Sequence, residues 1–180
     1  EPGSPSLDRL LRRDPDAFAW LVDEHQALVL MLGQSMGLFG MDLEDAAAET
    51  FSNVYRALPK FEARSSLRSW IYRIALRTFA HFRRRRRRQA TVALPEELHD
   101  RGQVSPDQHL AEVETNERIW ALVARLDARE AAAVELHYRQ GWSLDEIADT
   151  LECPVGTVKT LLFRGRQRLR EAIGGKESEL

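Results

Sequence analysis

The segment Pro154-Val155-Gly156-Thr157-Val158-Lys159-Thr160, continued by Phe163, Arg164 and Arg166, sets small, hydroxyl and cationic side chains at the spacing of one helix. At 100° per residue, Val155, Val158, Leu162, Gly165 and Leu169 fall on one apolar stripe, leaving Gly156, Thr157, Lys159, Thr160, Phe163, Arg164 and Gln167 on the other faces. The chemistry offered is recognition of a duplex polyanion. Small residues let a helix backbone approach the groove floor, Lys and Arg meet phosphates or guanine edges, and a phenyl ring touches thymine methyl groups. Ser143-Leu144-Asp145-Glu146 upstream is a capping-box pattern that opens a short helix bearing Ile147, Ala148 and Leu151. A break at Glu152-Cys153 and Pro154 at the next helix start complete a helix-turn-helix pattern.

A second set of residues suits a single strand. Residues 63 to 88 hold ten arginines and no acid, a net charge of +10 inside a chain whose total is −2. Trp70, Tyr72, Phe79 and Phe82 interleave with Arg68, Arg73, Arg77 and the run Arg83 to Arg88, so rings can stack on bases while guanidiniums track the backbone. The same rings at helical spacing also fit an ordinary core, for Trp70 and Phe79 above all. Arg83, Arg84 and their neighbours read more simply as phosphate contacts. The segments before and after this block, 1 to 62 and 89 to 117, each carry a net −6, whereas 159 to 180 return to +3. Charge segregated in this way is a polyanion-binding footprint at two separate places. Asp42, Glu44, Asp45 and Glu49 form the opposite kind of group: they favour a helix N-terminus, but would repel nucleic acid and suit a basic protein surface.

Other chemistries find no residues to carry them. No nucleophile and base pairing, paired-carboxylate motif or lysine-bearing phosphate loop is present, so the chain does not read as an enzyme and calls for no cofactor. His25, His81, His99, His109 and His137 lack metal-ligand spacing, no metal is expected, and the single Cys153 reads as a small buried hydrophobe rather than a redox switch. No run of 18 apolar residues suggests insertion into a membrane, and no leader is apparent, which points to the cytoplasm.

The elements that must position these groups are all helical. Asp14-Pro15-Asp16 caps and starts a helix carrying Phe18, Leu21, Val22, Leu28, Val29 and Leu32, and Gly33, Gly37 and Gly40 then loosen the chain. The second helix is expected from about Asp42 to Pro59, and the third from Ser65 or Ser66 through the arginine run. Residues 8–88 thus form one unit. Residues 89–106, acidic and punctuated by Pro95, Gly102 and Pro106, read as a flexible linker. Residues 107–174 form the second unit, with a helix from about Asp107, another capped by an Asp127 and Glu130 box, and the helix-turn-helix. The expected fold is all-α, two small helical domains joined by that linker.

In this order the motifs resemble the sigma-70 family of bacterial RNA polymerase initiation factors, in its small extracytoplasmic-function group. The segment D-L-E-D-A-A-A-E-T-F-S-N-V-Y-R-A-L (Asp42 to Leu58) is similar to the family's core-polymerase docking helix, F-E-A-R-S-S-L-R-S-W-I-Y-R-I-A (Phe61 to Ala75) to its minus-ten capture segment, and Gly141 to Arg166 to its minus-thirty-five reader. The resemblance implies that Asp42, Glu44, Asp45, Glu49 and Phe51 bind core polymerase. It implies that Phe61, Arg64, Ser65, Arg68, Trp70, Arg73, Arg77, Arg83 and Arg84 hold the opened minus-ten strand around a flipped base, and that Thr157, Lys159, Thr160, Phe163, Arg164 and Arg166 read duplex promoter DNA. It also implies that the linker sits in the polymerase's nucleic-acid channel and that an anti-sigma factor regulates the chain. Ala48, Arg77, His81, Glu152 and Leu161 depart from the family pattern, Glu152 at a turn position usually held by glycine. The same helix-turn-helix on a stand-alone transcriptional regulator is the alternative; it leaves the acidic helix and the arginine helix without a use.

Overall fold

The computed structural model describes residues 5–92 and 118–174, and the described residues are all-helical. The expected linker beyond Val92, the helix start at Asp107 and the tail after Gly174 lie outside them. A short α1 (Leu7–Leu11), absent from the sequence expectation, precedes α2 (Pro15–Ser35). Asp14 caps α2 as its type suggests: its carboxylate accepts hydrogen bonds from the backbone N–H groups of Asp16 and Ala17 and pairs with Arg9 at 2.9 Å. Together Arg9 and these amides hold the Asp14 carboxyl below the usual carboxylate range.

Gly33 does not loosen the chain. It stays inside α2, and the turn waits for Gly37, whose φ of +80° only glycine adopts freely. α3 (Gly40–Ala57) follows and ends in a 3-10 turn over Leu58–Lys60 around Pro59. α4 (Leu67–Val92) starts where Ser66 Oγ accepts from Ser69 N–H at 3.0 Å, and it runs four residues past the expected end at Arg88. α2, α3 and α4 pack on one another around Leu21, Val29, Leu32, Val54, Leu58, Ile71 and Phe79, all fully buried. Seven buried side chains of this size supply the main stabilisation of a unit this small, at roughly 1.5–3 kcal/mol each.

The second half begins with α5 (118–123), then α6 (Ala128–Val134), which widens into one π-helical turn, Glu135–Arg139. The Asp127 and Glu130 capping box is not formed: the Asp127 side chain caps nothing, and Glu130 turns inward, buried, to accept from Arg168 at 2.6 Å. An ionic partner 38 residues away outcompetes a local cap. The Ser143 and Glu146 box is complete and opens α7 (Leu144–Thr150), and α8 (Val155–Gly174) crosses α6 and α7. The crossing is close because Gly165 faces Val134, whose Cγ2 would stand 2.9 Å from a β-carbon there.

His25, on α2, is buried with its Nδ1 unpaired among the described residues, and burial pulls its pKa below the ordinary imidazole value. The sign follows from linkage. Above pH about 6.5 both folded and unfolded states hold the neutral ring, and below it the unfolded state takes the proton more readily, so stability falls as pH drops. Relative to His25→Phe, the protein is expected to lose stability as the pH falls below about 6.5, at no more than about 1.4 kcal/mol per pH unit. Urea unfolding of both proteins above and below that pH checks it; a gap independent of pH refutes it.

Candidate nucleic-acid interface

The outward face of α8 is the one the sequence indicates. Val158, Leu162 and Gly165 are buried and Val155 and Leu169 half-buried, while Gly156, Thr157, Lys159, Thr160, Phe163, Arg164, Arg166 and Gln167 are exposed. Phe163 is 59% exposed, which no packing need explains. Thr160 donates to the Gly156 carbonyl at 3.0 Å and Arg166 to the Tyr138 hydroxyl at 2.9 Å, fixing two side chains of the face without covering it. The turn into α8 is held by Cys153 N–H donating to the Ala148 carbonyl and Thr157 N–H to the Pro154 carbonyl. Half-buried Cys153 packs against the core, and Glu152 takes a φ of +50°.

Asp42, Glu44, Asp45 and Glu49 project into solvent from α3, whose opposite side buries Leu43, Ala46, Ala47 and Thr50. Phe51 is half-buried against the core beside them. The acidic face is flanked by exposed Phe39 and Met41, and Asp42 lies 3.9 Å from Arg86 at the far end of α4.

The minus-ten set is brought together more selectively. Phe61 is buried and packs against half-buried Trp70, ring centroids 4.9 Å apart and planes tilted by 49°. With Ser65, Phe61 lines an open cleft of about 300 Å³, completed by Trp20, Ala63, Leu67 and the α1 residues Leu7 and Leu10. Arg64 is exposed at its edge and pairs with Glu62 at 2.7 Å. Sequence reasoning missed Trp20 and α1 as parts of this cleft; Trp20 lies off the apolar stripe of Phe18, Leu21, Val22, Leu28, Val29 and Leu32 read for its helix.

Of the rings proposed to stack on bases, Tyr72, Phe79 and Phe82 are buried and unavailable, and only Trp70 keeps an open edge. Phe79 lies in the core of the first half. Tyr72 is covered by the second half, its ring 4.9 Å from that of Trp142. The arginines of α4 are engaged from the same side: Arg68 lies over the Trp142 ring at 4.6 Å, Arg73 reaches the Asp149 carboxylate at 3.1 Å, Arg77 reaches Glu152 at 2.6 Å, and Arg83 donates to the Leu126 carbonyl. Arg84 remains exposed. Arg77 and Glu152, two of the departures from the family pattern, are therefore partners across the two halves. Nearby, Glu135 is buried and its pKa raised by burial, with Gln140 donating to Oε1 at 3.0 Å and Arg139 3.6 Å from Oε2. Among the described residues no cluster of His, Cys, Asp or Glu has the geometry to hold a metal, and no helix is long and apolar enough to cross a membrane.

A helix-turn-helix reader, an arginine helix beside an apolar cleft and an acidic helix on one chain define a DNA-binding protein equipped to dock a protein partner as well. Comparison with known proteins places it further. The sigma-70 region 2 profile matches residues 21–89 and the sigma-70 region 4 profile residues 116–169. The chain is 30% identical to the RNA polymerase sigma-H factor of Pseudomonas aeruginosa, over 93% of this chain and 91% of that protein. It is likewise 30% identical to the extracytoplasmic-function RNA polymerase sigma-E factor of Escherichia coli, over 93% and 92%. Its fold is similar to that of the sigma factor RpoE from Bartonella quintana, solved with the anti-sigma factor NepR (TM-score 0.66, 22% identity, 87% of this chain and 96% of that one). It is similar too to CnrH, solved with the cytosolic domain of CnrY (TM-score 0.67, 22% identity, 94% and 95%). The chain belongs to the sigma-70 family, in its extracytoplasmic-function group, and is a transcription initiation factor that works with core RNA polymerase at promoter DNA.

Proposed function

We propose a division of labour among the residues. Residues 8–88 dock core polymerase and capture the minus-ten strand, 89–106 link the two units, and 107–174 read the minus-thirty-five element. Asp42, Glu44, Asp45, Glu49 and Phe51 form the docking face on α3. A base extruded from the minus-ten element enters the cleft beside Phe61 and Ser65, where Trp70 and Trp20 offer rings, while Arg64, Arg68, Arg73, Arg77, Arg83 and Arg84 follow the strand. Thr157, Lys159, Thr160, Phe163, Arg164 and Arg166 enter the major groove. The observation that carries this reading is the α8 face: eight adjacent polar, small or aromatic side chains left exposed over a fully apolar buried stripe. The protein catalyses nothing itself and acts in the cytoplasm with the polymerase. The similarity to sigma factors solved with an anti-sigma factor or with a cytosolic partner domain supports regulation by an anti-sigma factor here.

In vitro transcription with core polymerase on a fragmented genomic library tests it: discrete start sites sharing a two-element promoter are expected. Retained duplex binding without transcripts would overturn the assignment of α3 and α4. Lys159→Ala is expected to reduce transcription from promoters carrying the upstream element by about 5- to 150-fold, as one groove contact of about 1–3 kcal/mol is lost. Equal loss on templates lacking that element would refute the role of α8.

A further inference from the structure

We propose that the chain latches itself shut: Asp149 and Glu152, at the end of α7 and in the turn after it, occupy the arginine face of α4 until a nucleic-acid strand displaces them. The proposal rests on the reading of α4 as the strand-binding helix. Arg73 and Arg77, one helical turn apart, present their guanidiniums on the same side of α4. Arg73 Nη2 donates to the Asp149 carbonyl at 3.0 Å and to its carboxylate at 3.1 Å, its Nη1 stands 3.7 Å from Glu152, and Arg77 Nη2 donates to Glu152 at 2.6 Å. Two carboxylates thus give two arginines the anionic oxygens that phosphates would give them.

Glu152 marks the contact as selected rather than incidental. Its φ of +50° lies in the left-handed region, where a β-carbon is strained and glycine is not. The contacts of its carboxylate are with Arg73 and Arg77, so the strained residue contributes its charge to α4. Beneath the ion pairs the interface is imperfect in a way that favours opening. The Tyr72 hydroxyl, the Trp142 indole N–H and the Nε atoms of Arg68 and Arg73 are buried without a hydrogen-bond partner among the described residues. Each would recover water when α4 and α7 separate. The acids remain about half exposed, 49% for Asp149 and 50% for Glu152, so a strand can reach the pairs and salt can screen them.

The test uses the full chain with Cys153→Ser, Ser52→Cys and Glu171→Cys, labelled for energy transfer between the two halves. At low salt a compact population is expected, and Glu152→Gly, which also removes the backbone strain, shifts it to an extended one. Arg77→Glu alone opens the chain, and Arg77→Glu with Glu152→Arg closes it again. Unchanged transfer in Glu152→Gly and in Arg77→Glu would overturn the latch. In parallel, anisotropy of a short labelled single-stranded DNA is expected to show about tenfold tighter binding to Glu152→Gly, as for a closed form holding about nine-tenths of the molecules. Opening without that gain leaves the latch standing and overturns the strand-binding role of α4, so the two failures are distinguishable.

Discussion

Phe79→Ala is expected to cost about 3–5 kcal/mol of folding stability, enough to leave a domain of ordinary stability partly unfolded. Phe79 is fully buried on α4, at the level where that helix meets α2 and α3. Its ring closes on Gly33: a β-carbon at Gly33 would lie 3.4 Å from the Phe79 ring and would clash with Leu43 Cδ1. Leu32, Ile71 and Ala75 of the same core cluster are fully buried, so filling the cavity left by alanine would require packed residues to rearrange. Gly33→Ala supplies the second arm of a cycle. Alone it gains about 1 kcal/mol of helix propensity but incurs overpacking of about 1–3 kcal/mol, so it destabilises modestly. In the Phe79→Ala background the methyl gains room on the ring side, and the two effects are expected to be less than additive. Urea unfolding of the four proteins reads the coupling; additive values would show that Gly33 answers to Leu43 alone.

The legible part of this protein was whatever local chemistry decides. Asp14 with Pro15 and Ser143 with Glu146 form the caps their types specify, and the α8 stripe faces inward as its 100° spacing requires, with Val158, Leu162 and Gly165 buried and Val155 and Leu169 half-buried. The illegible part was set by partners distant in sequence. Asp127 and Glu130 have the spacing of a capping box, but Arg168 draws Glu130 inward. Tyr72 reads as a stacking ring beside arginines, and nothing near it in sequence announces that Trp142 covers it. Gly33 reads as a breaker, whereas its lack of a side chain admits Leu43 and Phe79 against an unbroken helix. Glu152 was legible only as a charged residue at a turn position usually held by glycine; that its side chain pairs with Arg73 and Arg77 across the halves is decided by the tertiary packing.

Asp45→Arg is expected to reduce polymerase-dependent transcription about 30-fold or more while leaving the fold intact. Asp45 is exposed on α3 between exposed Glu44 and Glu49, whereas the residues that hold α3 in place, Leu43, Ala46, Ala47 and Thr50, point the other way. Reversal there costs no packing. If α3 is the docking face proposed above, it replaces an attraction with a repulsion there, and truncating one member of a desolvated charge pair already costs about 2–5 kcal/mol. The neighbouring apolar groups Phe39 and Met41, 46% and 79% exposed, would give the proposed docking face an apolar centre of the kind that dominates binding energy, with the acids around it. Met41→Ala is therefore expected to speed dissociation from core polymerase, with little change in the salt dependence of association, whereas Asp45→Arg should lower the association rate and flatten or invert that salt dependence. Surface-based association kinetics with core enzyme at several ionic strengths separate the two. A salt dependence unaltered in Asp45→Arg would remove α3 from the docking surface, even if transcription fell.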